Sequence, residues 1–384
     1  MPLYHQLGQV PHKRHTVFRR ADGALHAEEL IGNKGFTGPS SLLYHLHQPT
    51  PVREVRPLRD LQWQADPERQ FRHRHFRTHQ LGSGGSLVVD RIPLLFNADV
   101  ALSFVQPDRE DDFFYRNAQG DEIVYVSEGS GVLETPLGNV PFEQGHYLVI
   151  PRGILHRYRF GAGTLKFLVI ESTGYVRTPK RYRNEHGQLT EMAPYSERDI
   201  RRPSNLQTVE EKGEHRLVVK KDNRLFEMTL VYHPFDLVGW DGFYYPWAIS
   251  IHDFEPRVGR FHLPPPTHQT FEGDGFVVCS FCPRPYDFDP AAVPVPYNHS
   301  NVMSDEVIYY ASSEFMSRKD IEFGSVTLHP DGIPHGPHPG RTEASLGARH
   351  TDELAVMVDT FRPFQVSRQA LEIEDAEYYH SWLS

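Results

Sequence analysis

The sequence predicts an all-β protein made of two similar halves. Three observations carry that prediction. Short apolar runs such as Ile123–Val126, Tyr147–Ile150 and Leu165–Ile170 follow one another with turn residues between them, the spacing of strands in a sandwich or barrel. Pro and Gly are plentiful, at 31 and 29 residues, which suits many turns and few long helices. The pattern of the first half also returns in the second at an offset of about 180 residues.

Composition narrows the function. A formal charge of −10 with no long basic block argues against general nucleic-acid binding. No apolar run approaches the roughly 20 residues of a membrane span, and the N-terminus lacks a charged-then-apolar signal, so the expectation is a cytoplasmic protein with no membrane partner. The 2 cysteines, Cys279 and Cys282, form a lone pair three apart on a strand-like run, where they point to opposite faces. Without a second pair they read as unpaired thiols rather than a zinc site. The cluster Arg69–Arg77, with His73 and His75 inside it and His79 just beyond, reads as a solvated loop. The 23 His residues raise the expectation of a metal enzyme.

Taken in order, residues 1–175 hold an N-terminal segment and a first barrel. The run Gly35–Leu46 reads as a turn followed by a strand. Strand-like runs follow at Ser86–Val89, Ala101–Val105, Ile123–Val126, Gly131–Glu134, Tyr147–Ile150 and Leu165–Ile170. Residues 176–210 are charged and poor in β-branched types, and read as a linker in which Ser196 and Asp199 resemble a capping box. Residues 211–366 form a second barrel, with strands at Arg216–Lys220, Leu225–Val231, Tyr244–Ile251, Gly275–Phe281, Val307–Tyr310, Ser325–Leu328 and Leu354–Val358. The tail, 367–384, reads as a helix opened by a Ser cap, with Leu371, Tyr378 and Trp382 at near-helical spacing.

The repeat carries the chemistry. The first half contains Tyr115-x-Asn117-x4-Glu122, then Gly145-x5-Pro151-x-Gly153-x2-His156. The second contains His299-x-Asn301-x4-Glu306, then Gly324-x5-Pro330-x-Gly332-x2-His335. Gly and Pro shape a tight turn between two strands, and the closing His is aimed back at the first segment. Two His and one carboxylate on one barrel wall make a facial triad, which holds Fe(II) and leaves positions open. His299, Glu306 and His335 are the candidate ligands. Asp305 is the neighbouring alternative to Glu306. The first copy offers only Glu122 and His156 and is expected to be structural.

This template resembles the paired motifs of the cupins, which implies a double cupin, or bicupin, of two small antiparallel barrels. The surroundings are more specific. Pro296-Tyr-Asn-His299-Ser-Asn-Val-Met-Ser304, Leu328-His329 and Ile333-Pro-His335-Gly-Pro337 resemble the homogentisate 1,2-dioxygenase family. So do His26–Pro39 and Val238-Gly-Trp240-Asp241-Gly-Phe-Tyr-Tyr-Pro246. The resemblance implies a non-haem Fe(II) enzyme of tyrosine and phenylalanine catabolism that takes a small aromatic acid and O2, opens the ring to maleylacetoacetate and assembles as a hexamer or trimer. It also implies roles. The family's base follows the Trp, where this chain has Asp241, and His252 is a second candidate for that task. His329, His335, Phe315 and Tyr310 are the substrate-side residues, His329 holding substrate or a ligand by a hydrogen bond. Phe315 stands where the family has a Tyr that grips the substrate carboxylate, and a Phe cannot donate a hydrogen bond. Tyr309, Tyr310 or an arginine such as Arg318 are the candidates to replace it. His262, His268 and His338 match no role. The alternative substrates are gentisate or hydroquinone, and the alternative class is a non-catalytic ligand-binding bicupin.

Overall fold

The computed structural model describes residues 3–259 and 265–383; His262 lies outside them. Strands dominate, and the two α-helices among the described residues, Arg341–Ser345 and Arg368–Leu371, are about one turn each. Among the described residues no helix is long and apolar enough to cross a membrane.

The first barrel is two facing seven-stranded sheets. One carries, side by side, the strands Trp247–Ser250, His146–Ile150, Asp121–Glu128, Lys166–Ser172, Val100–Val105, Ile92–Phe96 and Gln365–Val366. The other runs from Gly138–Glu143 through Ser130–Thr135, Leu155–Phe160, Phe114–Asn117, Lys212–Lys221 and Arg224–Tyr232 to Val52–Asp60. The edge strand Gly138–Glu143 shows why the sheets close on each other. Gly138, Val140 and Phe142 are buried, and Pro141 and Glu143 between them are exposed, the period-two pattern of a sheet with one wet face. Asp121–Glu128 is instead buried along almost its whole length, as its unbroken Ile-Val-Tyr-Val run requires of a central strand. Each large apolar side chain sealed in this core contributes about 1.5–3 kcal/mol.

The second barrel is a six-stranded sheet ordered Gln269–Gly273, Phe276–Phe281, Ala355–Thr360, Asp305–Tyr310, Ser325–His329 and Arg74–Arg77. The repeat is thus real in three dimensions. Glu122 lies opposite Ile150 and Glu171, and Glu306 lies opposite His329 and Asp359. The motif glycines also match. Gly145 and Gly324 have φ of +86° and +84°, and Gly153 and Gly332 +83° and +82°, a left-handed conformation that only Gly adopts without strain.

Several expectations change. Strands from 212–250 pair within the first barrel's sheets or the four-stranded sheet of His5–Gly8, Leu237–Gly242, Ser40–His45 and Ala27–Gly32, so the sheets do not divide at residue 211. The basic cluster is not a solvated loop, because Arg74–Arg77 is the edge strand of the second barrel's sheet, with His73 and His75 buried. Ser86–Val89 is a turn rather than a strand, since the Ser86 hydroxyl accepts the Val88 and Val89 N–H groups. The tail is a single capped turn, Ser367 accepting from Ala370 N–H, followed by the 3-10 turn Tyr378–His380. In the linker, Ser196 and Asp199 do form a capping box, around the 3-10 turn Glu197–Asp199. Cys279 and Cys282 are buried free thiols.

Candidate metal centre

Strand alternation settles which acid faces the barrel interior. Successive side chains of Asp305–Tyr310 point to opposite faces. Asp305 accepts the backbone N–H groups of Asp331 (3.0 Å) and Phe364 (2.7 Å) and so ties down two loops. Asp121 does the same in the first barrel, for Arg152 and Val176 at 2.9 Å each. Glu306 turns the other way, towards His299 and His335. Its Oε2 lies 3.6 Å from His299 Nε2, and its Oε1 lies 3.3 Å from His335 Nε2. The ligand atoms of all three residues lie within 4.8 Å of one another.

The backbone selects the tautomers. His299 Nδ1–H donates to the Tyr297 carbonyl at 3.2 Å, and His335 Nδ1–H to the Ile333 carbonyl at 3.5 Å. Both rings therefore present a bare Nε2 to Glu306. His335 Nε2 is buried and has no hydrogen-bond partner. Lone pairs facing a carboxylate across a buried gap are unfavourable unless a cation lies between them. The donor set thus fits a divalent ion of the Fe(II) kind. Burial alone would raise the Glu306 carboxyl. With a proton on His299 Nε2 in place of an ion, the hydrogen bonds from His299 and His329 overrule burial and hold the acid well below its usual range.

Of the two tasks expected of His329, holding substrate or holding a ligand by a hydrogen bond, its position fits the second. It is fully buried, donates through Nδ1–H to Glu306 Oε1 at 2.8 Å, and meets the Tyr378 hydroxyl at 3.4 Å on its other side. It orients the carboxylate from behind and does not line the cavity. Burial keeps it neutral, well below the usual imidazole pKa. His73, from the far N-terminal side of the chain, packs its ring 5.8 Å from His335 and 4.7 Å from Trp382. His338 accepts the Lys319 N–H at 3.0 Å and meets Ser381 at 3.1 Å, a structural role.

His299 and Glu306 open on a cavity of about 360 Å³. Its wall includes His299, Asn301, Glu306, Phe315, Arg318 and Asp359; His268 also lines it. Phe315 is on the wall as expected, but Tyr310 lies behind it. Its ring meets Phe315 edge-on at 4.7 Å and its hydroxyl bonds Thr327 at 3.1 Å. Tyr309 is bonded to Ser127 in the core between the barrels. Asp241 and His252 are elsewhere in the fold. Asp241 sits in the four-stranded sheet, held by Arg14 at 2.6 Å and Tyr4 at 3.1 Å. His252 is exposed in a 3-10 turn, packed against Gly145. Neither lines the cavity, so within this chain neither is placed to act as the base.

Sequence reasoning missed two groups. Asp359 lies across the strand pair from Glu306, is half-buried, and has a buried Oδ1 without a partner. Burial and the nearby Glu306 charge push its carboxyl up to about 8. The signal was the repeat itself, since Phe167–Glu171 and Ala355–Asp359 both end an apolar strand on an acid. Arg91 was the other. In the first barrel its guanidinium grips Glu122 with two bonds, at 2.7 and 2.9 Å, and Asn117 adds a third at 2.8 Å. A side chain supplies there the positive charge that the second barrel's ligands leave room for.

Fold and site define a bicupin with one candidate metal-ligand triad among the described residues. Comparison with known proteins then gives the family. The family model described as homogentisate 1,2-dioxygenase N-terminal matches residues 98–251, which hold the first barrel's strands from Val100 to Ser250. A Saccharolobus solfataricus protein named "Putative dioxygenase" is 42% identical over 100% of this chain and 99% of its own length. Homogentisate 1,2-dioxygenase of Bradyrhizobium diazoefficiens is 28% identical over 68% of this chain, which spans 60% of that enzyme. One from Rhodopseudomonas palustris is 25% identical over 94% of this chain and 86% of its own length. Among solved structures, a cupin 2 conserved barrel domain protein from Leptotrichia buccalis overlaps 78% of this chain and 99% of its own, with 11% identity and a TM-score of 0.36. The chain belongs to the dioxygenase family of the Saccharolobus protein, a family related to the homogentisate 1,2-dioxygenases.

Proposed function

We propose that this protein is a non-haem Fe(II) dioxygenase that opens the ring of a para-dihydroxy aromatic, with the conversion of homogentisate and O2 to maleylacetoacetate as the leading reaction. The observation that carries the proposal is the His299–Glu306–His335 triad, two of whose members, His299 and Glu306, line a cavity. A volume of about 360 Å³ is within the range of small-molecule sites.

His299 and His335 would hold the ion through Nε2 and Glu306 through its carboxylate. Bound there, Fe(II) would supply a Lewis acid that lowers the pKa of a ring hydroxyl, and a redox partner for O2. The chain's own residues do the rest. His329 keeps the Glu306 carboxylate in one orientation. Phe315 supplies an apolar ring against which an aromatic substrate can pack. Asp359, with a free oxygen beside Glu306, is placed to exchange a proton with a bound hydroxyl, the task expected of Asp241 or His252.

The test is oxygen uptake by protein loaded anaerobically with Fe(II), on adding homogentisate, gentisate or hydroquinone in air. The expected result is one O2 consumed per substrate, with a ring-opened product. Full iron content with no uptake on any of the three would reject the reading.

A further inference from the structure

The His that closes the repeated motif is held differently in the two barrels. His156 lies in the strand Leu155–Phe160, opposite Tyr115, so a ladder fixes its backbone. His335 lies beyond the strand Ser325–His329, where a single bridge ties it to His299, and the chain after it runs into the short helix Arg341–Ser345 instead of a strand. Side chains from elsewhere hold it instead. The Pro334 carbonyl accepts from His73 Nε2–H at 3.2 Å. The Gly336 carbonyl accepts from Trp382 Nε1–H at 3.1 Å and from Arg318 Nη1. Gly336 has no side chain to limit its rotation, so a donor on its carbonyl is what fixes the peptide beyond the ligand. Trp382 comes from the C-terminal turn, and the same turn reaches the Glu306 side of the site. The Tyr378 hydroxyl lies 3.4 Å from His329 Nε2 and also bonds Arg318. With the His329 proton on Nδ1, facing Glu306 at 2.8 Å, that hydroxyl donates to the bare Nε2. The Tyr378 and Trp382 rings meet edge-on at 5.4 Å.

We infer that the C-terminal turn Tyr378–Trp382 is a latch on the metal site. Trp382 positions His335, and Tyr378 fixes the tautomer and orientation of the His329 that holds Glu306. Both are positioning residues, since they act through other side chains and neither lines the cavity. The inference rests on the reading of His299, Glu306 and His335 as ion ligands. A ligand ring on a turn outside any ladder has rotational freedom that binding an ion must remove, at a cost in entropy. Outer hydrogen bonds remove that freedom beforehand and decide which ring nitrogen is bare. The first barrel fits the same logic. Arg91 answers Glu122 there, and the closing His stands in a regular strand.

The experiment is anaerobic titration of the metal-free protein with Co(II), followed by visible absorption and by competition with a chelator. Trp382→Phe keeps an aromatic ring and removes the Nε1–H. Tyr378→Phe keeps the ring and removes the hydroxyl. Each should lower Co(II) affinity about tenfold or more and alter the visible bands, which report the geometry of the ligands. The denaturation midpoint of the metal-free protein should stay near that of wild type. Leu383→Ala, at an exposed position just beyond the turn, should leave affinity and bands as they are. A Phe variant with wild-type affinity and bands removes its residue from the latch, and both together overturn the inference. So does a loss of affinity that matches a fall in metal-free stability with the bands unaltered, since that is packing alone. If the wild-type protein takes up no Co(II), the triad itself falls and the latch with it. Uptake by wild type with no change in either Phe variant rejects the latch and leaves the triad standing.

Discussion

His299 and His335 are bonded to each other through their backbones, each N–H donating to the other's carbonyl at 2.8 Å. The loop before one strand and the turn after another are thereby clamped at the residues that carry the ligand nitrogens, and the two rings lie 4.2 Å apart. The neighbouring Gly336 allows this. A Cβ there would fall 2.0 Å from Asn298 Oδ1. The site is built before any ion arrives.

Replacing His299, Glu306 or His335 with Ala should abolish both iron retention and oxygen uptake, since two remaining ligands are too few for a tight site. Metal analysis after reconstitution and desalting is the check. Iron at the wild-type ratio in any of the three variants would remove that residue from the ligand set.

His329→Leu should fold and keep the three ligands but lose the bond that orients Glu306. Metal affinity is expected to fall about 10–100-fold, as read by competition with a chelator. Unaltered affinity would make His329 a packing residue only.

Arg91→Met should be severely destabilising, because it leaves Glu122 charged in a fully buried site. The expected cost is on the order of 3–5 kcal/mol, seen as a lower midpoint in denaturant. The Glu122 carboxyl, which burial would raise, is held at about 2 by Arg91. The double variant Arg91→Met, Glu122→Leu should recover much of the loss, since an apolar pair can replace a buried ion pair. A single variant as stable as wild type would contradict the ion pair's role.

His45 ties stability to pH. Burial alone would lower its pKa, but bonds to Asp236 (2.7 Å) and Glu29 (3.1 Å) raise it to about 9. The folded state therefore binds this proton more tightly than the unfolded chain does, whose imidazole titrates near 6.5. The stabilisation is fully present below about 6.5 and is lost as pH rises through about 9. The Tm gap between wild type and His45→Gln should accordingly be wide at pH 6 and narrow at pH 9.5. A gap that widens with pH would refute the assignment.

Much of this was legible in the chain because it is local. Motif glycines at matching intervals, an acid opening a Val-rich strand and a His after Pro-x-Gly are short-range patterns, and they located the triad. The alternation of strand faces would decide between Asp305 and Glu306 once the strand's start was known. The roles given to Asp241, His252 and Tyr310 did not transfer, since adjacency to a motif says nothing about which cavity a side chain faces. Asp241 is drawn to Arg14, and Tyr310 to Thr327.

The sequence by itself determined the repeat, the all-β class and the three candidate ligands, because turn geometry and strand period are fixed by residues a few positions apart. Only the tertiary structure decided that Arg91 fills the first barrel's acidic site, that Arg74–Arg77 joins the second barrel's sheet at its edge, and that Asp359 and Arg318 line the cavity with His299 and Glu306. Those depend on which charges meet once distant strands pair, and ion pairing and desolvation act through space rather than along the chain.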